Sequence, residues 1–169
     1  GGAITACANA PTPLLVKVAG GTPPYKYAWS PATGLDNPAA QSPVLIPRSD
    51  ATYIVTVTDA NGCFDADTVR INVYDPPQVD AGDNIALCAG SAGQLKGRVS
   101  GGKKPYTYEW SPRTGLGSAA VLDPSVRPEG TGWYVLSVRD GNGCLVKDSV
   151  LVTLHPQPVL QVAADVTVC

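Results

Sequence analysis

Apolar and polar residues alternate with period two through much of the chain. In Pro23–Leu35, PPYKYAWSPATGL, the side chains of Tyr25, Tyr27 and Trp29 fall on one face of a strand and Lys26 and Ala28 on the other. Lys104–Leu116, KPYTYEWSPRTGL, repeats the pattern with Tyr106, Tyr108 and Trp110 against Thr107 and Glu109. The polar, charged or small partners belong in solvent, so the aromatic face is expected inside. Thr52–Asp59, TYIVTVTD, places Tyr53, Val55 and Val57 on one face, and Tyr134 stands at the position matching Tyr53. From Cys63 to Val73 a further strand turns Val69, Ile71 and Val73 inward and Thr68, Arg70 and Asn72 outward. Asp59-Ala60-Asn61-Gly62 between them reads as a turn, because Gly62 tolerates positive φ, and the two strands form a hairpin.

Leu14–Ala19 predicts another strand, ended by Gly20-Gly21. Pro43–Pro47 fits a short edge strand bracketed by prolines, and Ser30–Ser42 a long loop. No stretch has helical periodicity. Short strands at this spacing close most naturally as an all-β, immunoglobulin-like sandwich.

The phrase recurs because the whole chain repeats. Cys7, Cys88 and Cys169 are spaced by 81 and 81, and Cys63 and Cys144 also by 81. Shifted by 81 without a gap, 29 of the first 81 positions are identical, including Gly20-Gly21, Ser30-Pro31, Thr33-Gly34-Leu35 and Asn61-Gly62-Cys63. A period this long suits a domain rather than a solenoid repeat. The expected layout is one domain over 1–78, a second over 79–159, and the first strand of a third over 160–169. Proline-rich linkers at Tyr74–Ala81 and His155–Val162 should be stiff and hold neighbours in a roughly extended arrangement.

Charge is low, with net −2 and 15% charged residues, which gives no basic field for nucleic acid or for an anionic membrane. No run of about 18 apolar residues occurs, so direct membrane insertion is not expected.

The cysteines of each copy, Cys7/Cys63 and Cys88/Cys144, are 56 apart, with no Cys-x-x-Cys, and the one histidine, His155, lies in a linker. A zinc site is disfavoured. Two disulfides, Cys7–Cys63 and Cys88–Cys144, are the expected reading against reactive thiols. Each would add roughly 4 kcal/mol in the chain-entropy model and would imply an oxidising compartment. Cys169 is left unpaired and should bond 56 residues further on. Asp75, Asp80 and Asp83 gather near the first linker, but their counterparts are Pro156, Gln161 and Ala164, so linker calcium is disfavoured and no cofactor is expected.

GGTPPYKYAWSPATGL, ATYIVTVTDANGC and DPPQVDAGDN resemble the PKD-like, immunoglobulin-like repeats of very large Bacteroidetes surface proteins, including gliding-motility adhesins of the SprB type. The resemblance covers both copies, although Trp29-Ser30-Pro31 and Trp110-Ser111-Pro112 stand where typical PKD domains carry Trp-Asp-Phe-Gly-Asp-Gly. It implies a β-sandwich, export often by the type IX system, and a stalk or adhesive fibre. It also implies O-glycosylation at Asp-(Ser/Thr)-apolar triplets. Asp67-Thr68-Val69 and Asp148-Ser149-Val150 fit, which makes Thr68 and Ser149 candidate glycan sites against a plain exposed hydroxyl.

Three functions come into question for such a chain. Catalysis lacks a nucleophile constellation, a phosphate loop or a metal cluster. A carbohydrate-binding adhesin could use the aromatic face of Tyr25, Tyr27 and Trp29 as a sugar platform. The same pattern reads better as core. A structural stalk segment on the cell surface fits all the features, with neighbouring repeats of the same polypeptide as partners and surface polysaccharide or other cells beyond them.

Overall fold

The computed structural model describes residues 2–161. Among these there are fourteen strands and no helix. The first copy contributes β1 (Gly2–Cys7), β2 (Thr12–Pro13), β3 (Lys26–Ser30), β4 (Val44–Leu45), β5 (Ala51–Thr58) and β6 (Phe64–Tyr74). After these come β7 (Gln78–Asp80), β8 (Ile85–Cys88), β9 (Gly93–Gln94), β10 (Arg98–Ser100), β11 (Thr107–Ser111), β12 (Ser125–Val126), β13 (Gly132–Arg139) and β14 (Leu145–His155).

The first copy forms a four-stranded sheet in the order β1-β6-β5-β3, faced by the short pair β2-β4. Strand β1 runs parallel to β6, whereas β3–β5 and β5–β6 are antiparallel. The second copy repeats the plan as β11-β13-β14-β8 with β12-β9, and adds the pair β10-β7. Its first strand again runs parallel to its last, β8 beside β14. The fold is all-β and immunoglobulin-like, as the alternation predicts. By compactness the chain divides into two units. One comprises the chain up to Gln78 with Ser100–Tyr106 and Arg139–Val146; the other comprises Val79–Val99, Thr107–Val138 and the chain from Lys147. Two short pieces of the second copy therefore belong to the unit built on the first.

The repeated phrase does the same work in both copies. Trp29 is buried against Leu14, Leu45, Tyr53, Val55 and Ile71, and Trp110 is fully buried at the matching place. Their indole N–H groups donate to loop carbonyls, Trp29 to Ala40 at 3.0 Å and Trp110 to Val121 at 3.1 Å, so burial leaves no polar atom unpaired. The Thr-Gly-Leu that follows is a docking point. The hydroxyl of Tyr53 donates to the Thr33 carbonyl at 2.7 Å, and Tyr134 to Thr114 at 3.1 Å. Gly115 has φ +76°, and a Cβ there would lie 2.3 Å from the Arg127 carbonyl oxygen, so only glycine fits. Leu35 and Leu116 then bridge to Leu45 and Val126.

One expected strand is absent. Leu14–Ala19 alternates in burial, with Leu14 buried and Leu15 exposed, but only Thr12–Pro13 pairs with a neighbour. The counterpart of Lys17–Ala19 is β10, which pairs with β7. Beside Lys17–Ala19 the structure has an open cavity instead, and alternation without a ladder partner makes no strand.

Candidate functional site

The disulfide is the feature that departs most from expectation. Cys7 is bonded to Cys144, with their Cα atoms 5.6 Å apart, and Cys63 and Cys88 are free and exposed. Neither expected pair, Cys7–Cys63 or Cys88–Cys144, is present. The reason lies in strand register. Cys7 sits opposite Tyr74 at the end of β6, whereas Cys63 precedes Phe64 at its beginning. Eleven residues of extended chain separate Cys63 from Tyr74, about 36 Å at the usual rise, and a disulfide needs Cα atoms within about 7 Å. The second copy is built alike: Cys88 sits opposite His155, and Cys144 precedes β14 at its other end. A spacing of 56 puts the two cysteines of one copy at opposite ends of its last strand. The observed separation of 137 is that spacing plus one 81-residue period.

The turn that presents Cys144 is held by a carboxylate. Asp140 is buried and accepts three amides: Lys103 at 2.9 Å on one oxygen, and Asn142 and Cys144, each at 2.9 Å, on the other. Burial pushes its pKa up, but the amides of Lys103, Cys144, Asn142 and Gly143 outweigh this and hold it below the usual carboxylate range. Asp59 builds the same turn with the amides of Thr22, Asn61 and Cys63, and its carboxyl is likewise lowered, chiefly by the Thr22 amide. The two turns differ in cover. At Gly102 an added Cβ would lie 2.8 Å from Asp140 Oδ2 and 3.0 Å from the Pro77 nitrogen. At the matching Gly21 nothing lies nearer than 3.4 Å, and Phe64, next to Cys63, is 74% exposed.

The aromatics divide by depth. Trp29, Tyr53, Trp110 and Tyr134 are buried; Tyr25, Tyr27, Tyr106 and Tyr108 are half-buried at the edge of the inward face. Tyr25 and Tyr106 tie their hydroxyls to the carbonyls of Gly20 and Gly101. Burial raises the pKa of Tyr53, and of Tyr134 with help from Glu129. Both strand tryptophans are thus buried, although Trp29, with Tyr25, lines the open cavity beside Lys17–Ala19. The exposed indole is that of Trp133, at 56%, which the alternation places on the outer face of β13. Thr68 and Ser149 are exposed, Thr68 opposite Ile54 on β6.

Of the carboxylates near the linker, Asp80 serves local structure: it accepts from the Gly82 amide at 2.8 Å and pairs with Arg98 at 3.1 Å. Among the described residues no three His, Cys, Asp or Glu side chains gather to hold a metal ion. Among the same residues no helix is long and apolar enough to cross a membrane. Cys169 and the third-copy strand expected over 160–169 fall largely or wholly outside the described residues.

A signal for the Cys7–Cys144 bond does exist in the sequence. The last strand is long enough to carry its two ends out of reach of one another, and an 81-residue period offers a second partner at each end.

No family model and no curated protein matches the chain. Solved structures similar to it include extracellular domains 3–5 of Drosophila OTK, at 16% identity and TM-score 0.41 over 91% of this chain and 59% of that one, less than two thirds of its length. A chimeric titin Z1Z2 tandem is similar at 16% identity and TM-score 0.39, covering 91% and 95%. The PKD domain from KIAA 1837 is similar at 24% identity and TM-score 0.43, covering 51% and 93%. At TM-scores below 0.5 these likenesses carry no weight, and the fold rests on the sheets themselves.

Proposed function

We propose that the chain is a structural segment of a long extracellular fibre or adhesin stalk, made of disulfide-stapled sandwich repeats and displayed on a cell surface. The observation that carries this reading is the Cys7–Cys144 bond between the two sequence copies. A disulfide favours an oxidising compartment, and one that crosses from copy to copy makes the repeat itself the connected element. Trp29 and Trp110, the centre of any sugar platform, are buried in the core, which weakens the support for a carbohydrate-binding module. The resemblance to Bacteroidetes surface repeats fits the same assignment, with type IX export and glycans on exposed Thr68 and Ser149 as its finer parts. The sequence copies, 1–78 and 79–159, are then its building blocks.

The test compares the oxidised and reduced chain in protease and on a glycan array. A structural segment stays intact while oxidised, is cut after reduction, and retains no glycan. Stoichiometric capture of a polysaccharide by the folded chain would overturn the reading.

A further inference from the structure

The joint between Cys7 and Cys144 has two sides. On one, Cys7 ends its parallel ladder opposite Tyr74, the amide of Ala8 donates to the Tyr74 carbonyl at 2.9 Å, and the chain leaves the last strand through buried Pro77. On the other, Asp140 sets the turn that presents Cys144, whose amide its Oδ1 accepts at 2.9 Å. Gly102 lies between the two sides. An added Cβ there would stand 2.8 Å from Asp140 Oδ2 and 3.0 Å from the Pro77 nitrogen, so only glycine lets the outgoing chain reach the turn. The bond thus sits where the last strand of one copy hands over to the next copy.

Cys88 and Cys63 each carry one of these sides. Cys88 ends its ladder opposite His155, Ala89 donates to the His155 carbonyl at 2.8 Å, and Pro158 stands 81 positions after Pro77. Cys63 follows a turn in which Asp59 Oδ1 accepts its amide at 2.9 Å. Gly21 flanks that turn as Gly102 flanks the other, again with positive φ, +73° against +59°. Within one copy the two cysteines cannot meet, because the last strand holds them at its opposite ends. The turn cysteine within reach of a first-strand cysteine is the one a period further on, at the observed separation of 137 rather than 56.

We propose that this is the rule of linkage for the 81-residue unit: along one polypeptide, the cysteine that ends a copy's first strand bonds the turn cysteine of the following copy. Cys88 is then the first-strand half of such a bond and Cys63 the turn half, each built to join an adjoining copy. The rule rests on the structural reading proposed above and deepens it, because successive bonds overlap. Cys88 lies inside the loop that Cys7–Cys144 closes, so a bond from Cys88 begins before that loop ends. No stretch of an array linked in this way lies outside a loop. Each bond forms when two thiols give up two protons and two electrons to a small-molecule disulfide such as oxidised glutathione, whose sulfur–sulfur bond breaks to yield two thiols.

The test lengthens the full chain by one copy, oxidises it in a buffer of reduced and oxidised glutathione, and maps its linkages by mass spectrometry of unreduced peptides. Residues 89–159 placed after Cys169 complete a third copy in phase, because Cys169 matches Cys88. The turn cysteine of that copy should be found on Cys88 at least about tenfold over Cys169, its partner at a spacing of 56. Cys63 should stay open to alkylation in the same molecule. Residues 82–162 placed before Gly1, in a chain carrying Cys88→Ser, test the other half: Cys63 should bond the first-strand cysteine of the added copy. In the chain without additions, Cys63 and Cys88 should both be alkylated beside an intact Cys7–Cys144 bond. A third copy bonded to Cys169, or equal yields on Cys88 and Cys169, would overturn the rule. So would Cys88 or Cys63 still fully alkylated beside its added copy. Because the readout is the linkage map of lengthened chains, failure here leaves the glycan and protease test standing, and the converse also holds.

Discussion

Asp140 Oδ1 accepts the amide of Cys144 at 2.9 Å, so an ionised side chain sets the turn from which the bonded sulfur projects. The carboxyl stays ionised in the folded chain to a lower pH than in the unfolded chain, whose aspartates titrate near about 3.9. Its contribution is complete above that value and is lost as pH falls through the lower folded pKa. Asp59 acts in the same direction. The melting temperature should therefore drop steeply below pH about 4. Asp140→Asn should start lower at neutral pH and show a shallower acid decline. A pH series of thermal melts checks both, and identical slopes would remove Asp140 from the account.

Removing the Cys7–Cys144 bond should destabilise the chain strongly. Its loop of 137 residues is worth about 5 kcal/mol in the chain-entropy model, and measured losses of native disulfides run to roughly 2–5 kcal/mol. Cys7→Ser and Cys144→Ser should each lower the urea midpoint by a comparable amount. Cys63→Ser and Cys88→Ser should leave it within experimental error, since neither cysteine is bonded.

The two kinds of tryptophan should separate cleanly. Trp110 is fully buried, so Trp110→Ala should cost about 3–5 kcal/mol. Trp133 is more than half exposed, and Trp133→Ala should stay within about 0.5 kcal/mol. Denaturant unfolding of both variants decides the matter; equal costs would mean that the core is not where the strand pattern puts it.

Gly115→Ala should be far costlier than an ordinary glycine substitution. Its φ is positive, and the new methyl would meet the Arg127 carbonyl at 2.3 Å, so the loop must move away from β12. Gly130→Ala, where nothing lies within 4 Å, serves as the control. Circular dichroism melts should show a large drop for the first and little change for the second.

Much of this fold is legible in the residue pattern because the information is local. Tyr53, Val55 and Ile71 fall on the inward faces that period two assigns them, and every one of them is buried. Gly62 marks its hairpin and takes positive φ. What the pattern hides is pairing between distant segments. Nothing near Cys7 says that β1 runs parallel to β6 and so carries that cysteine to the end of the strand away from Cys63. Likewise Leu14–Ala19 has the apolar content of a strand and alternates in burial, but a strand needs a partner, and burial records only which face is wet. The intact period of 81 contained the right answer for the disulfide as one of two choices; register, which is set by tertiary contact, picks between them.

The position of the sulfur bridge also fixes how the chain answers tension. A pull on its two ends enters at β1, passes from Cys7 directly to Cys144, and leaves along β14. The 136 residues between them are shunted out of the load path and stay slack even if their sheets come apart. Reduction would restore that hidden length, roughly 450–490 Å when fully drawn out, so the redox state of one bond sets how far the chain can stretch before it tightens.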